Sequence, residues 1–71
     1  MNWYYILAKK PGEKRAMMIA TRGQRTNLRV RAVQFEAGIL EEELTRLRRD
    51  NPDWAFTSKL ATQETYRLRV G

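Results

Sequence analysis

Hydrophobic residues occupy both faces of a predicted strand at the start of the chain, residues 2–9, NWYYILAK. Tryptophan, tyrosine and isoleucine favour strands, and successive side chains of a strand point to opposite faces. Because both faces are largely apolar, we expect this strand to be central in its sheet or covered on both sides. A turn is predicted over residues 9–15, KKPGEKR, in which Pro11 and Gly12 fit the middle of a type II turn.

The next segment, residues 15–22, RAMMIATR, has two interpretations. We favour a strand over residues 16–22 that pairs back on the first strand as a hairpin. The alternative is a helix, since alanine, methionine and arginine favour helices and Gly23 stands where a helix would end.

Residues 28–35, LRVRAVQF, are also open to two interpretations. Apolar residues and arginines alternate as far as Arg31, which favours a strand. The alternation breaks at Ala32-Val33, so such a strand needs a bulge or an end buried on both faces. The alternative is a helix that Asn27 caps and Gly38 ends, with four apolar residues in line: Leu28, Ala32, Phe35 and Ile39.

A helix over residues 39–50 is predicted more firmly than any other element. Leu40, Leu44 and Leu47 form an apolar stripe at helical spacing. Three glutamates fall in the predicted first turn and three arginines in the last, an order that complements the helix dipole: Glu41, Glu42, Glu43, then Arg46, Arg48 and Arg49. Glu42 and Arg46 are spaced for an ion pair, and Asn51-Pro52 ends the helix.

Two further strands are predicted after the helix, over residues 53–62 and 63–70, paired with each other as a hairpin. The fold class is therefore α+β: one domain over residues 1–71, with a mostly antiparallel sheet and the main helix packed on one face. The preferred element order is β-β-β-α-β-β. The orders βαβαββ and ββααββ remain alternatives.

Charge is distributed unevenly along the chain, whose net charge is +6. Residues 1–35 contain eight basic residues and one acid, Glu13, which gives +7, whereas residues 36–71 carry −1. Ten of the fourteen cations are arginine, which binds phosphate or carboxylate through two parallel hydrogen bonds. This distribution indicates a polyanion or an acidic protein surface as partner.

The residue types that are absent exclude several kinds of chemistry. The chain has no cysteine and no histidine, so it has neither a thiolate metal site nor an imidazole base. Consecutive glutamates on a helix point about 100° apart and do not converge on one ion, and no glycine-rich phosphate loop is present. We expect a protein that is not an enzyme and that holds no metal or cofactor.

The longest near-apolar run, WYYILA, has six residues, whereas a membrane-spanning helix needs about 20. The N-terminus also lacks a basic segment followed by a long apolar one, as a signal peptide would have. We expect a soluble, cytoplasmic protein without a membrane partner.

The predicted function is that of a small non-enzymatic module that binds DNA or RNA through phosphates, with low sequence specificity. Arginines on strand faces and basic residues at the turn are the candidate contacts: Arg29, Arg31, Arg67 and Arg69, then Lys9, Lys10, Lys14 and Arg15. Trp3 or Tyr5 is a candidate for stacking on a base. The alternative is a small regulator or inhibitor, of the type found in phages and mobile elements, that binds an acidic surface of a larger protein. A homodimer would explain the surplus of aromatic residues.

The stretch WYYILAKKPGEKRA, residues 3–16, resembles the opening of the NusG-type N-terminal domain, in which a Trp-Tyr strand runs into a Lys-x-Gly-x-Glu-Lys turn. The resemblance implies a helix within residues 12–22. No activity, partner or site residue is carried over from it.

Overall fold

Six strands and one α-helix make up the fold seen in a computed structural model, which describes residues 2–61 and the backbone of residues 68–70. The elements in chain order are β1 Trp3–Lys9, β2 Met17–Ile19, β3 Arg25–Thr26, β4 Val33–Glu36, α1 Ala37–Asp50, β5 Ala55–Leu60 and β6 Leu68–Val70. Two short 3-10 helices lie between strands, at Thr21–Gly23 and Arg29–Arg31. The predicted α+β class is confirmed, and the preferred order β-β-β-α-β-β holds once the two-residue β3 is added.

Strand β1 is central in the sheet, as its two apolar faces predict. Along one edge it pairs antiparallel with β5, from Tyr4–Leu60 to Lys9–Ala55. The opposite edge is shared: β4 pairs with its beginning and β2 with its end, both antiparallel. Strand β3 extends the sheet beyond β2, and β6 pairs with β4 in parallel. Strands β2 and β4 thus share one edge of β1, and the curled sheet packs against the helix.

The core lies between α1 and one face of the curled sheet. The leucine stripe of α1 is buried as predicted, and it packs against apolar side chains of β1, β2, β4 and β5: Ile6, Ala8, Ile19, Val33, Phe35 and Phe56. The opposite face of β1 and β4 is also buried, at Trp3, Tyr5 and Gln34. The two-sided burial of β1 therefore follows from the sequence.

The β1–β2 connection is the type II turn that the sequence predicts. Gly12 has φ 85°, a left-handed conformation that glycine adopts without steric cost. The backbone N–H of Glu13 donates to the carbonyl of Lys10 at 3.1 Å and closes the turn.

The strand prediction for residues 16–22 is only partly correct. Strand β2 covers Met17–Ile19, and the chain then forms the 3-10 helix Thr21–Gly23. The helix that was the alternative here, and that the NusG-type resemblance implied, is not formed. The pairing with β1 as a hairpin is confirmed.

The strand interpretation of residues 28–35 is wrong in its first half, and the alternative, a helix from Asn27 to Gly38, is wrong throughout this stretch. Residues Arg29–Arg31 form a 3-10 helix, and only Val33–Glu36 form a strand. Leu28 and Val30 are 50% and 49% exposed, so the apolar positions of the alternation have no core to enter. The break in alternation at Ala32-Val33 marks the true start of the strand.

The chain after α1 also departs from expectation. Strand β5 pairs with β1, and β6 pairs with β4, so these two strands do not form a hairpin with each other. Residues 62–67, which join them, lie outside the described residues. Helix α1 begins at Ala37 rather than at residue 39, so the glutamates occupy its second turn. Arg46 pairs with Glu43 at 2.6 Å instead of with Glu42.

Within the described residues, no helix is long and apolar enough to cross a membrane.

Candidate functional site

The β1–β2 turn presents a group of exposed cations. We call this group the basic turn: Lys9, Lys10, Lys14 and Arg15, all exposed. Its shape depends on Pro11-Gly12, because the type II turn places the residues before and after it on one loop. The sequence predicted this group and its position.

Glu13 fixes the basic turn to β3. The guanidinium of Arg25 donates two hydrogen bonds to the Glu13 carboxylate, from Nη1 at 2.7 Å and from Nη2 at 2.8 Å. Arg25 Nη1 also lies 3.4 Å from the carbonyl oxygen of Ala8, to which it donates. The backbone N–H of Lys10 donates to Glu13 Oε1 at 2.8 Å. These hydrogen bonds, that from Arg25 first, lower the pKa of Glu13 to about 2, and the carboxylate in turn raises the pKa of Arg25.

Since Glu13 is the only acidic residue of residues 1–35, its pairing with Arg25 leaves no second carboxylate within this half of the chain. Six exposed cations between residues 9 and 31 form no ion pair with any described residue: Lys9, Lys10, Lys14, Arg15, Arg22 and Arg31. The positive charge predicted from composition is thus accessible to a partner.

Trp54 is the aromatic residue that the structure places among these cations. It is half-buried, and its ring lies 6.0 Å from the ring of Phe56, centroid to centroid. Lys10 Nζ lies 5.2 Å from the centroid of the indole, and Arg25 Cζ lies 5.3 Å from it. Both distances are within the range of cation–π attraction. Trp54 therefore joins the basic turn to the core.

A groove of about 540 Å³ opens beside Trp54. It runs between the 3-10 helix Thr21–Gly23 and the C-terminal half of α1, and Trp54 contributes to its wall. Four charged side chains also line it: Arg22, Glu43, Arg46 and Asp50. Its floor is formed by buried core residues: Ile19, Val33, Phe35 and Leu47.

The predicted placement of Arg29 and Arg31 on a strand face is wrong. Arg29 and Arg31 belong to a 3-10 helix rather than to a strand face. The backbone register places Arg69 opposite Gln34, and not opposite Arg29 or Arg31. Arg67 lies outside the described residues. The pairing of β4 and β6 starts only at Val33, so Arg29 and Arg31 precede the part of the sheet that β6 joins.

Trp3 and Tyr5 are buried, with 8% and 4% of their surface exposed. Tyr5 Oη accepts a hydrogen bond from Gln34 Nε2 at 3.4 Å. A buried ring offers no open face to a base, so neither Trp3 nor Tyr5 is placed for stacking.

Arg25 and Trp54 are the site residues that the sequence did not indicate. Their contacts join residues 10, 13, 25 and 54, which are distant in sequence, so no local spacing reveals them. One signal was present: a single acid among eight cations in residues 1–35 is expected to be paired with one of them.

No group of three or more acidic residues within the described part of the chain is placed to hold a metal ion. Comparison of the chain with protein-family models, with curated proteins and with solved structures finds no match.

Proposed function

We propose that this chain is a small, non-enzymatic module that binds nucleic acid mainly through phosphates, with low sequence specificity. One observation carries the proposal: the only acid of the N-terminal half is bound by Arg25, while six exposed cations of the same half have no ion pair with a described residue. A phosphate backbone supplies the missing negative charge at regular spacing, and its binding releases counterions.

The arrangement of the cations supports phosphate contacts more than the reading of bases. The basic turn carries four long side chains, one at the end of β1 and three in the loop that follows it, and Arg22 and Arg31 lie on two separate 3-10 helices. None of these residues lies on the α-helix, the element that most often enters a DNA groove. The apparent affinity is therefore expected to depend strongly on salt and weakly on sequence.

The proposal is tested by titrating labelled single-stranded DNA, single-stranded RNA and duplex DNA at about 50 mM and about 200 mM salt. We expect binding at the lower concentration and a large loss at the higher one. Absence of binding to every probe at about 50 mM would refute the proposal, because electrostatic attraction is strongest there.

Matched variants locate the contact surface. Lys14→Gln with Arg15→Gln removes two cations of the basic turn, and Arg48→Gln with Lys59→Gln removes two exposed cations elsewhere, on α1 and β5. Both double variants lower the net charge by two. We expect the first to weaken binding severalfold more than the second. An equal effect would mean that overall charge, and not the basic turn, accounts for the affinity.

A second candidate function is supported by the residues around Arg29 and Arg31. Leu28 and Val30 are about half exposed, and exposed apolar side chains beside arginines suit an acidic protein surface better than a phosphate backbone. On this alternative the chain is a small regulator or inhibitor of a larger protein. Leu28→Ser with Val30→Ser should then abolish capture of that partner from a lysate of the source organism and leave nucleic-acid binding unchanged.

A further inference from the structure

The groove beside Trp54 differs in chemistry from the basic turn. Its floor is apolar, and its two cations, Arg22 and Arg46, are balanced by two carboxylates, Glu43 and Asp50. Arg46 is already bound to Glu43 at 2.6 Å. A phosphate inside the groove would therefore meet no net positive charge and would lie close to carboxylates.

An uncharged ring with polar edges fits these properties. Clefts that bind small molecules commonly have volumes of roughly 300–1,000 Å³, an apolar lining and a few polar groups, and this groove has about 540 Å³. Its polar groups include both hydrogen-bond donors and acceptors, as the edge of a nucleobase requires. The apolar floor suits the faces of such a ring.

Trp54 is held in a position to contact a ring in the groove. Lys10 and Arg25 approach the indole at 5.2 and 5.3 Å, but neither lines the groove. The cations therefore contact the indole outside the groove, and another part of the indole faces into it. Arg25 is fixed by Glu13 through two hydrogen bonds, which limits the movement of the indole.

We infer that the groove beside Trp54 binds one unstacked nucleobase of a single-stranded nucleic acid, while Lys10 and Arg22 contact the neighbouring phosphates. This inference rests on the proposed function and makes it more specific: the ligand is a single strand rather than a duplex. Bases of a duplex are paired and stacked, so none is available to enter a groove unless it is flipped out.

The test compares three probes at about 50 mM salt: a single-stranded oligonucleotide of about 16 nucleotides, a hairpin duplex of equal phosphate number, and adenosine monophosphate. We expect the single strand to bind at least about tenfold more tightly than the duplex. Adenosine monophosphate tests whether the base comes from a free nucleotide rather than from a strand. We expect it to bind far more weakly than the oligonucleotide because it carries only one phosphate.

Intrinsic fluorescence reports contact with the indole directly. The chain has two tryptophans, and Trp3 is buried on the other side of the sheet. We expect the single strand to quench the emission of the wild-type protein and not that of the Trp54→Phe variant. Trp54→Ala should weaken single-strand binding by roughly 5- to 150-fold, the range for loss of one base–aromatic stack.

Because Trp54 also packs against the core, Arg22→Gly gives an independent test in a variant that is expected to fold. Arg22 already has φ 60°, which glycine adopts freely. Its matched control, Arg48→Ala, removes one exposed cation from the helix. We expect Arg22→Gly to weaken single-strand binding severalfold more than Arg48→Ala does, and to weaken single-strand binding more than it weakens duplex binding.

The possible results separate the two proposals. Preference for the single strand, quenching that depends on Trp54 and a larger effect of Arg22→Gly would support the groove as a base site. Equal affinity for single strand and duplex, or absence of quenching, would overturn it and leave the proposed function standing. Equal affinity for the mononucleotide and the oligonucleotide would overturn the assignment to a strand. No binding of any probe would overturn both.

Discussion

At the residue scale, Glu13 ties the β1–β2 turn to β3 by accepting two hydrogen bonds from Arg25. Its pKa is about 2, lower than its usual 4.5, so the folded state binds this proton less readily than the unfolded chain does. Above pH 4.5 the pair contributes fully to stability, and the contribution is lost as the pH falls through the folded value.

Glu13→Gln is therefore expected to lower the thermal unfolding midpoint at pH 7. The difference from wild type should shrink as the pH falls from about 5 to about 2, because the carboxylate of the wild type becomes protonated there. Unfolding curves recorded by circular dichroism at several pH values measure this. Glu42→Gln, an equal change of charge on the exposed face of α1, should leave the midpoint at pH 7 close to that of wild type. A difference for Glu13→Gln that stays constant down to pH 2 would contradict the expectation.

Arg22 has an unusual backbone for its residue type. It lies at φ 60°, ψ 26°, and this left-handed conformation costs a residue with a side chain roughly 1–2 kcal/mol. Glycine removes that cost but gains freedom in the unfolded chain, which offsets part of the benefit. We expect Arg22→Gly to raise the free energy of unfolding by up to about 1 kcal/mol, measured by urea denaturation.

The neighbouring Thr21 gives the control, since the positive φ values within this 3-10 helix belong to Arg22 and Gly23 and not to Thr21. Thr21→Gly is expected to destabilise the protein by roughly 0.5–1 kcal/mol, because glycine there brings only its entropic cost. If both substitutions destabilise the protein equally, Arg22 does not hold its left-handed conformation in solution.

At the scale of elements, the sequence correctly predicts the strand and the helix in which hydrophobic side chains recur with one period over many residues. Strand β1 and helix α1 are such elements, and both appear within two residues of the expected bounds. The alternation in residues 28–31 has the correct period for a strand, yet a 3-10 helix forms there. Period alone does not show whether a partner strand is available, and the sheet next to β4 begins only at Val33.

Helix α1 stabilises the fold through its leucine stripe. Leu44 is 4% exposed, and its replacement by alanine is expected to cost about 2–5 kcal/mol, because buried apolar surface is lost and a cavity remains. A domain of this size has a small stability margin, so Leu44→Ala should show a large fall in the urea midpoint. Thr45 is exposed, and its hydroxyl donates only to the carbonyl of Glu41 one turn earlier. Thr45→Ala is expected to change stability by no more than about 0.5 kcal/mol; similar losses for both variants would contradict the placement of the stripe.

At the scale of the whole molecule, the sequence predicted where the positive charge lies but not which aromatic residue it surrounds. The basic turn follows from KKPGEKR, since local turn chemistry determines its shape. Trp54 meets Lys10 and Arg25 only because β5 returns to the edge of β1 opposite β2. Such tertiary pairings depend on which strands share an edge, and hydrophobic periodicity carries no information about that choice.

The same difference between local and tertiary information explains why the arginines do not lie where the sequence predicts. LRVR and RLR look equivalent in sequence, and the alternation in each predicts arginines on a strand face. Strands β4 and β6 are indeed neighbours, but their parallel pairing aligns Arg69 with Gln34. The positive surface is therefore built from loops, with Arg22 and Arg31 on 3-10 helices, and not from a row across the sheet.

The salt dependence of binding provides a test of this whole-molecule view. If phosphates contact the six exposed cations without a described ion pair, at most about six phosphates are neutralised. Each contributes about 0.7 to the slope of log K against log salt for a single strand, so the slope should not exceed about 4 in magnitude. Affinities measured at several salt concentrations give this slope.

Lys14→Gln with Arg15→Gln removes two of these contacts, and we expect it to reduce the slope by about 1.4. Arg48→Gln with Lys59→Gln removes the same charge from surfaces outside the proposed contact, and it should leave the slope nearly unchanged although the affinity falls slightly. The slope counts contacts, whereas affinity also responds to net charge, so these two variants separate a localised phosphate site from a diffuse attraction. A wild-type slope much steeper than about 4, or equal slopes for the two variants, would mean that the contact surface extends beyond the N-terminal half of the chain.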